Sequence, residues 1–504
     1  MSREVALAAL ESAQFADLPA LLRAASAALD NGLAGAVVQH LTAANERYSG
    51  DARLWQFIGL AHRELQDSAA AHLAFERAAR LAPVDPLIAH SQARTALEAG
   101  YPAVALFNRA RQLAPGDGAV VLGRCAALYA DGSGAAACSQ LADLLRSNPG
   151  WSEGHLAYAR LAAQVDPNLP LDATVRAALA LHPQAGALWE VLLKLWMEAR
   201  DYGRALRTVE QARAALGPSV ELARVEAACL TELDQAEQAE RILDGLPAPI
   251  NGDEAIWPIR NLIRLGRTEA AQALAEADFA GRSEGAVWPY RALLWRLHGD
   301  PRWEWLEGDP RFIAEYELAA EIGPLDHLAD VLRDLHRAKG QPLDQSVRLG
   351  TQTDGNLLAR AEPEIRRLRA ALLDAVASYV AQLPAPDPNH PLLIGRRDAL
   401  TVAGSWSVRL TGGGHHADHV HWQGWISSAC YIAVPPIDPR APESGWLALG
   451  ECRELLPELA AFRMVEPKPG KLALFPSTLW HGTRPFGNGE RMTVAYDIAR
   501  PRQS

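Results

Sequence analysis

Histidines crowd one short segment of the sequence, 415–421, where His-His-Ala-Asp-His-Val-His places four imidazoles and a carboxylate within seven positions. Alternate side chains of an extended strand point the same way, so His419 and His421 can present their rings to one ion while Val420 points away. A third histidine, His481, follows 60 residues later at the end of another predicted strand. First-row metals such as Fe(II) accept imidazole nitrogen readily. The three histidines therefore predict a metal site.

An arginine and a threonine lie close behind the third histidine in the sequence. Arg491 comes ten residues after His481 and begins a predicted strand, on which Thr493 occupies the same face. A guanidinium group is a planar fork of N–H donors that pairs with both oxygens of a carboxylate. We therefore expect a carboxylate-bearing cosubstrate beside the metal. Pairing of Arg491 with a surface carboxylate of the protein itself is the simpler alternative.

A second possible pair of ligands, His416 and Asp418, precedes the first in the chain. On one continuous strand these two residues face away from His419 and His421, so only one pair can reach the ion. The residues alone leave both pairs open. A site of three neutral histidines is also more positive than one of two histidines and a carboxylate, which leaves the identity of the metal open.

The segments around these residues predict strands separated by Gly- and Pro-containing turns. One helix, 363–382, precedes them, and the polar stretch 341–355 is predicted to be a strand or an ordered loop. Short strands without intervening helices are typical of a sandwich or a jelly roll. The five predicted strands are 405–410, 425–435, 445–450, 471–477 and 491–499.

The first 300 residues instead repeat a helical pattern. Prolines that end Ala-rich amphipathic runs recur at spacings of 32, 34, 34 and 35 residues, namely Pro83, Pro115, Pro149, Pro183 and Pro218. This unit of helix, turn, helix and proline resembles the tetratricopeptide repeat. The best copy, 52–85, has Trp55, Gly59, Ala71, Phe75, Ala78 and Pro83 at the characteristic positions of that repeat. Stacks of such repeats form solenoids that mainly bind peptides or partner proteins.

The predicted fold class is thus α+β and multidomain. An N-terminal α-solenoid of helix pairs, 1–300, is followed at 301–504 by a double-stranded β-helix, or jelly roll, with flanking helices. A net charge of −11, from 49 basic and 60 acidic residues, argues against a nucleic-acid partner. The absence of a long apolar run or a signal-like N-terminus predicts a cytoplasmic protein without a membrane partner. Five cysteines without a Cys-x-x-Cys motif fit a reducing compartment.

Four segments together resemble one family: DQSVRLGTQT, SWSVRL, HVHWQGWISSACYI and PGKLALFPSTLWHGTRPF. They resemble a bacterial group of Fe(II)/2-oxoglutarate-dependent dioxygenases that are often attached to tetratricopeptide repeats. The resemblance implies that His419, His421 and His481 hold Fe(II), and it favours this set over His416 and Asp418 because of the distance to the next strand. It further implies that Arg491 pairs with the distal carboxylate of 2-oxoglutarate and that Thr493 hydrogen-bonds it. Tyr431 is expected to line the cosubstrate pocket, although core packing explains it equally well.

The expected activity is hydroxylation with dioxygen and 2-oxoglutarate, without a catalytic side chain beyond the metal site. Because a solenoid offers little to a small metabolite, we expect the substrate to be a protein or peptide recruited by the repeats. Two alternatives stay open. One is a cupin-like metalloenzyme that does not use 2-oxoglutarate and does not need Arg491. The other is a repeat scaffold without catalytic activity.

Overall fold

The chain forms two compact units, each with its own core. The computed structural model describes residues 2–13, 17–279, 284–343, 345–397 and 400–501. The first unit comprises the chain up to residue 137 together with 354–369, and the second comprises 138–353 and the chain from 370 onward. The division into a repeat domain at 1–300 and an oxygenase-like domain at 301–504 stays a prediction.

Eighteen α-helices occupy the described part of the chain before residue 280, in the order of a helical-repeat protein. They are α1 (Arg3–Ala13), α2 (Leu18–Asp30), α3 (Ala34–Ala43), α4 (Asn45–Tyr48), α5 (Ala52–Glu64), α6 (Ser68–Leu81), α7 (Pro86–Glu98), α8 (Val104–Leu113), α9 (Gly118–Ala130), α10 (Gly134–Ser147), α11 (Ser152–Val165), α12 (Ala173–Leu181), α13 (Gly186–Glu198), α14 (Tyr202–Leu216), α15 (Val220–Glu232), α16 (Ala236–Leu243), α17 (Gly252–Arg264) and α18 (Thr268–Ala275).

The predicted helix ends are confirmed. Helices α6, α8, α10, α12 and α14 each end two residues before one of the five recurring prolines. Steric contact also explains why the repeat has a small residue facing an aromatic one. A Cβ atom on Gly59 would lie 2.7 Å from the ring of Phe75, so only glycine lets α5 and α6 approach this closely. Solenoid-like helix pairs therefore follow from the sequence pattern, as expected.

The described residues after 283 form nine strands and four further α-helices, which lie mainly in the second unit. The helices are α19 (Trp288–Leu297), α20 (Ala319–Ile322), α21 (Leu325–Leu335) and α22 (Pro363–Gln382). The strands are β1 (Ala314–Glu317), β2 (Val347–Gln352), β3 (Val402–His416), β4 (Gly424–Ala433), β5 (Leu447–Leu449), β6 (Arg463–Val465), β7 (Lys471–Pro476), β8 (His481–Thr483) and β9 (Arg491–Ala499).

The strands form two antiparallel sheets that face each other. One has the order β1-β7-β4-β9-β3-β2 and the other the order β6-β5-β8. Phe475 on β7 packs in one cluster with Leu447 and Leu449 on β5 and with Val465 on β6, so the core lies between the sheets. The predicted jelly roll is confirmed. Among the described residues, no helix is long and apolar enough to cross a membrane.

The repeat helices at the end of the solenoid pack directly on this jelly roll, within the second unit. Trp480, just before β8, shares a core cluster with Ile259 of α17 and with Tyr290 and Leu294 of α19. Its indole nitrogen donates to the carbonyl of Pro289 at 3.0 Å. The strand that carries His481 is therefore supported from behind by helices, which restricts its position.

Candidate metal centre

Three histidines from two separate segments meet at one end of the cavity between the sheets. The backbones of His419 and His481 pair as an antiparallel bridge, with N–H···O distances of 2.9 and 3.0 Å. Their ring centroids lie 4.1 Å apart, and that of His421 lies 4.9 Å from His419 and 5.2 Å from His481. One ring nitrogen from each histidine lies within 4.8 Å of the others. This spacing allows all three to reach a single ion.

The other ring nitrogen of each histidine is already engaged. Nδ1 of His419 lies 2.8 Å from the carbonyl of Ala417, and Nδ1 of His481 lies 2.9 Å from that of Leu479. Nδ1 of His421 lies 2.7 Å from Oδ2 of Asp497. An acceptor at Nδ1 places the proton there and leaves the lone pair on Nε2. Metal-binding histidines are usually oriented in this manner.

The alternative ligands have other partners. Asp418 is buried and forms a two-point ion pair with Arg453, at 2.9 Å to Nε and 2.7 Å to Nη2. Nδ1 of His416 lies 2.9 Å from the hydroxyl of Ser346, and its ring stacks on that of His419. Neither residue belongs to the group of three converging histidines. The geometry thus brings together the predicted set of His419, His421 and His481.

The prediction that strand alternation directs His419 and His421 to the same side is wrong. Strand β3 ends at His416, and residues 417–421 do not continue it as a regular strand. The segment is held instead by the bridge to His481 and by a hydrogen bond from the amide of His421 to the carbonyl of Ser477, 2.9 Å long. The pairing with the β7–β8 connection, rather than strand alternation, therefore directs His419 and His421 to the same side.

Burial keeps His419 and His481 uncharged. It lowers the pKa of His481 to about 4, assisted by the neighbouring His421. It also lowers the pKa of His419 well below its usual value, with repulsion from His481 and His421 adding to the effect. A neutral imidazole is the form that binds a metal. At neutral pH these two histidines are therefore ready to accept an ion without first losing a proton.

Strand β9 supplies a row of side chains to the same cavity. Arg491, Thr493, Ala495 and Asp497 alternate along the strand, and all four line the cavity. Asp497 accepts from Ser427 at 2.6 Å as well as contacting His421. Because alternate side chains of a strand point the same way, β9 presents both Asp497, which contacts His421, and Arg491, at the other end of the strand, to the cavity.

Arg491 is a buried cation without a carboxylate partner among the described residues. Its Nε donates to the carbonyl of Gly445 at 3.2 Å, and its guanidinium carbon lies 5.1 Å from the ring centroid of Tyr431. Beyond this guanidinium, the buried hydroxyl of Tyr431 has no hydrogen-bond partner in the described part of the chain. A buried charge without a carboxylate partner is costly. The predicted alternative, a surface ion pair of Arg491, is excluded by its burial.

Two polar residues whose side chains contact the predicted ligand rings were not singled out from the sequence. Asp497 could have been found, because it follows Arg491 by six residues and therefore falls on the same face of the predicted strand. Ser346, whose hydroxyl lies 3.2 Å from Nε2 of His419, had no such signal. It lies 73 residues before its partner, in a polar segment just before β2.

Residues 404–497 match the family described as "Putative 2OG-Fe(II) oxygenase". The match covers β3 to most of β9 and includes all three histidines, Arg491 and Asp497. It confirms the resemblance of this part of the chain to Fe(II)/2-oxoglutarate oxygenases. No curated protein shows significant sequence similarity to the chain.

Several solved structures are similar to parts of the chain. A Pseudomonas putida prolyl-4-hydroxylase is 17% identical, covers 38% of this chain and 94% of its own, and has a TM-score of 0.26. HygX from Streptomyces hygroscopicus, crystallised with nickel and 2-oxoglutarate, is 14% identical, with coverages of 37% and 82% and a TM-score of 0.27. A tetratricopeptide repeat protein from Parabacteroides merdae is 14% identical, with coverages of 54% and 96% and a TM-score of 0.29.

Proposed function

We propose that the protein is an Fe(II)- and 2-oxoglutarate-dependent dioxygenase. The observation that carries the proposal is the buried, carboxylate-free Arg491 in the same cavity as three histidines whose Nε2 atoms converge. A metal site alone would fit many enzymes. A buried guanidinium beside it specifies an anionic cosubstrate, because the charge is otherwise uncompensated.

His419, His421 and His481 would hold Fe(II) through Nε2. The donor set suits this metal, since imidazole is a good ligand for Fe(II). Asp497, through Nδ1 of His421, would orient that ring and raise its basicity. Burial of His481 would limit the access of solvent to the ion from that side.

Arg491, Tyr431 and Thr493 would bind 2-oxoglutarate at its distal carboxylate. Tyr431 and Thr493 are register partners on adjacent strands β4 and β9, so their side chains lie side by side with Arg491 two residues further along. The hydroxyl of Tyr431, which lies against this guanidinium, would donate to the carboxylate that the guanidinium neutralises. Core packing is the alternative role for the fully buried Tyr431.

Bound iron would supply the activation of dioxygen. In the overall reaction, one oxygen atom enters a substrate C–H bond as a hydroxyl group, and the other enters 2-oxoglutarate, which leaves as succinate and carbon dioxide. The contribution of the chain is to bind the keto acid in one orientation and to exclude water from the site.

The helical repeats would recruit a protein or peptide substrate. Tetratricopeptide-like folds serve protein–protein interaction in general, and their helices form one wall of a cleft beside the histidines. We further propose that the protein acts in the cytoplasm. The buried cysteines Cys125, Cys229, Cys430 and Cys452 are free thiols, which fits that compartment.

Anaerobic titration with Fe(II) and then 2-oxoglutarate tests the proposal. We expect a weak visible charge-transfer band of the iron chelate, lost in His481→Ala and weakened in Arg491→Ala at limiting 2-oxoglutarate. His182→Ala, an exposed histidine outside the cavity, is the control and should retain the band. Stoichiometric Fe(II) binding without a band at any 2-oxoglutarate concentration would contradict the proposal.

A cupin-like metalloenzyme is the second candidate, because the ligand set consists of three neutral histidines without a carboxylate. This candidate does not need an anion beside the metal. It predicts that Arg491→Gln retains metal binding and activity, whereas the dioxygenase loses 2-oxoglutarate affinity.

A further inference from the structure

A large cleft adjoins the three-histidine site. Its volume is about 820 Å³, and His419, His421 and Asp497 line it as well as the inner cavity. All lining residues belong to the second compact unit. A molecule in this cleft would therefore reach the metal site from outside, while the inner cavity remains for the cosubstrate.

The two walls of the cleft come from different parts of the chain. The repeat helices contribute Arg200 and Tyr202, where α14 begins, and Trp257 of α17. The jelly roll contributes Arg348 on β2 and Trp406 on β3. Aromatic side chains thus stand on both sides of the path to the histidines, offering apolar contact along an extended ligand.

Each carboxylate that lines the cleft is neutralised or engaged by a neighbour. Glu198 pairs with Arg160 at 2.6 Å, and Asp418 pairs with Arg453 at 2.7 Å. Asp497 contacts His421 and Ser427. None of these contacts involves an arginine that lines the cleft.

The arginines of the cleft are less completely paired. Arg260 is buried against Glu232 at 2.7 Å, and the more exposed Arg200 has a longer contact of 3.2 Å to Glu454. Arg348 is half-buried and donates only to backbone, at 2.9 Å to each of the carbonyls of Gln345 and Val347. Among the described residues it forms no ion pair. The guanidinium of Arg348 thus has no carboxylate partner of its own, and the charges of the nearby Arg200 and Glu454 both act on it through space.

We propose that this cleft binds an acidic peptide segment of the substrate, with an aspartate or glutamate side chain paired to Arg348 and Arg200. Arginine clusters recognise acidic motifs through charge-assisted hydrogen bonds. The aromatic residues of the two walls contact the rest of the segment, which places a neighbouring residue at the histidines. This inference rests on the proposed dioxygenase function and adds the chemical class of its substrate.

Short synthetic peptides of random sequence test the inference with the full-length protein, Fe(II), 2-oxoglutarate and oxygen-18 gas. Mass spectrometry identifies peptides that gain the heavy oxygen. We expect labelled peptides to be enriched in aspartate and glutamate near the oxidised residue. Arg348→Gln should reduce labelling of the acidic peptides about tenfold or more, as expected for loss of a charge-assisted hydrogen bond. Arg146→Gln, an exposed arginine outside the cleft, is the matched control.

The charge-transfer band of the iron chelate separates the possible failures. If the band is present in wild type and in Arg348→Gln, labelling without acidic enrichment overturns the acidic-peptide inference, as does labelling that Arg348→Gln leaves unchanged. A normal band with no labelled peptide also overturns it, and free dicarboxylic acids tested in parallel show whether a small acid is the substrate instead. Absence of the band overturns the proposed function itself.

Discussion

Oδ2 of Asp497 lies 2.7 Å from Nδ1 of His421, and the same carboxylate accepts from Ser427 through its other oxygen. A side chain of β9 thereby orients a histidine of the irregular segment after β3. This contact joins β9, the strand that carries Arg491 and Thr493, to the proposed metal ligands. It also offers the most direct way to change the ligand geometry without removing a ligand.

Replacing this carboxylate should weaken metal binding. We expect Asp497→Ala to lower Fe(II) affinity about 10- to 100-fold, because His421 loses the partner that fixes its tautomer and ring orientation. Anaerobic titration with Fe(II) measures the change. Asp374→Asn, an exposed carboxylate on α22, should leave the affinity as in wild type. Wild-type affinity in Asp497→Ala would show that His421 needs no orienting partner.

Asp418 should matter for stability rather than for the metal. In Asp418→Asn the guanidinium of Arg453 loses one of its two buried carboxylate partners and keeps Glu451, and we expect a loss of about 2 kcal/mol in the free energy of unfolding. Fe(II) affinity should stay unchanged once the protein is folded. Denaturant unfolding and metal titration on the same sample separate the two effects. A large fall in Fe(II) affinity of the folded variant would instead make Asp418 a ligand.

Removing the hydroxyl of Tyr431 should harm cosubstrate binding without harming the fold. The hydroxyl is buried against the Arg491 guanidinium and has no other hydrogen-bond partner among the described residues, so Tyr431→Phe should lower the free energy of unfolding by only about 1 kcal/mol or less. Loss of its hydrogen bond to the distal carboxylate should raise the KM for 2-oxoglutarate about tenfold. Succinate formation at varied 2-oxoglutarate concentration measures the KM. An unchanged KM would indicate a packing role alone.

His336 should make the protein less stable in acid. Burial, with repulsion from Arg409, lowers its pKa to about 4 although Glu490 opposes the shift, and its ring nitrogens contact the hydroxyls of Thr351 and Ser407. As the pH falls below 6.5, the ordinary pKa of histidine, His336 becomes protonated in the unfolded chain but stays neutral in the folded chain. The free energy of unfolding therefore decreases between about pH 6.5 and pH 4.

The variant His336→Gln isolates this contribution from that of the other buried histidines. We expect its loss of unfolding free energy from pH 7 to pH 4 to be smaller than that of wild type by about 2–3 kcal/mol. Urea unfolding at a series of pH values gives both curves. Parallel curves for wild type and variant would show that His336 titrates normally in the folded state.

A methyl group should not fit between the helices of the best repeat copy. Gly59→Ala places its Cβ atom 2.7 Å from the ring of Phe75, and we expect a loss of about 1–3 kcal/mol from overpacking. Gly35→Ala in α3 is the matched control, because a Cβ there meets no atom within 4 Å. Thermal unfolding compares the two variants. Equal melting temperatures would mean that the helix pair can separate at little cost.

Local patterns in the sequence predicted the elements that repeat or alternate regularly. The recurring prolines located the ends of five helices, because proline cannot continue a helix and its effect is local. Helix α22 and strand β9 have the predicted bounds, since each has a clear period in its apolar residues. The short strands β1, β6 and β8 were not predicted, because three or four residues are too few to show a period.

For the site, the sequence by itself determined the types of side chain available for chemistry and placed Arg491 and Thr493 on one face of a strand. Only the tertiary structure decided which histidines converge. The backbone of His419 pairs with that of His481, and Asp418 forms an ion pair with Arg453 rather than joining the histidines. These partners lie 62 and 35 residues apart in the chain, so their contacts depend on how the sheets close, which the local sequence pattern does not encode.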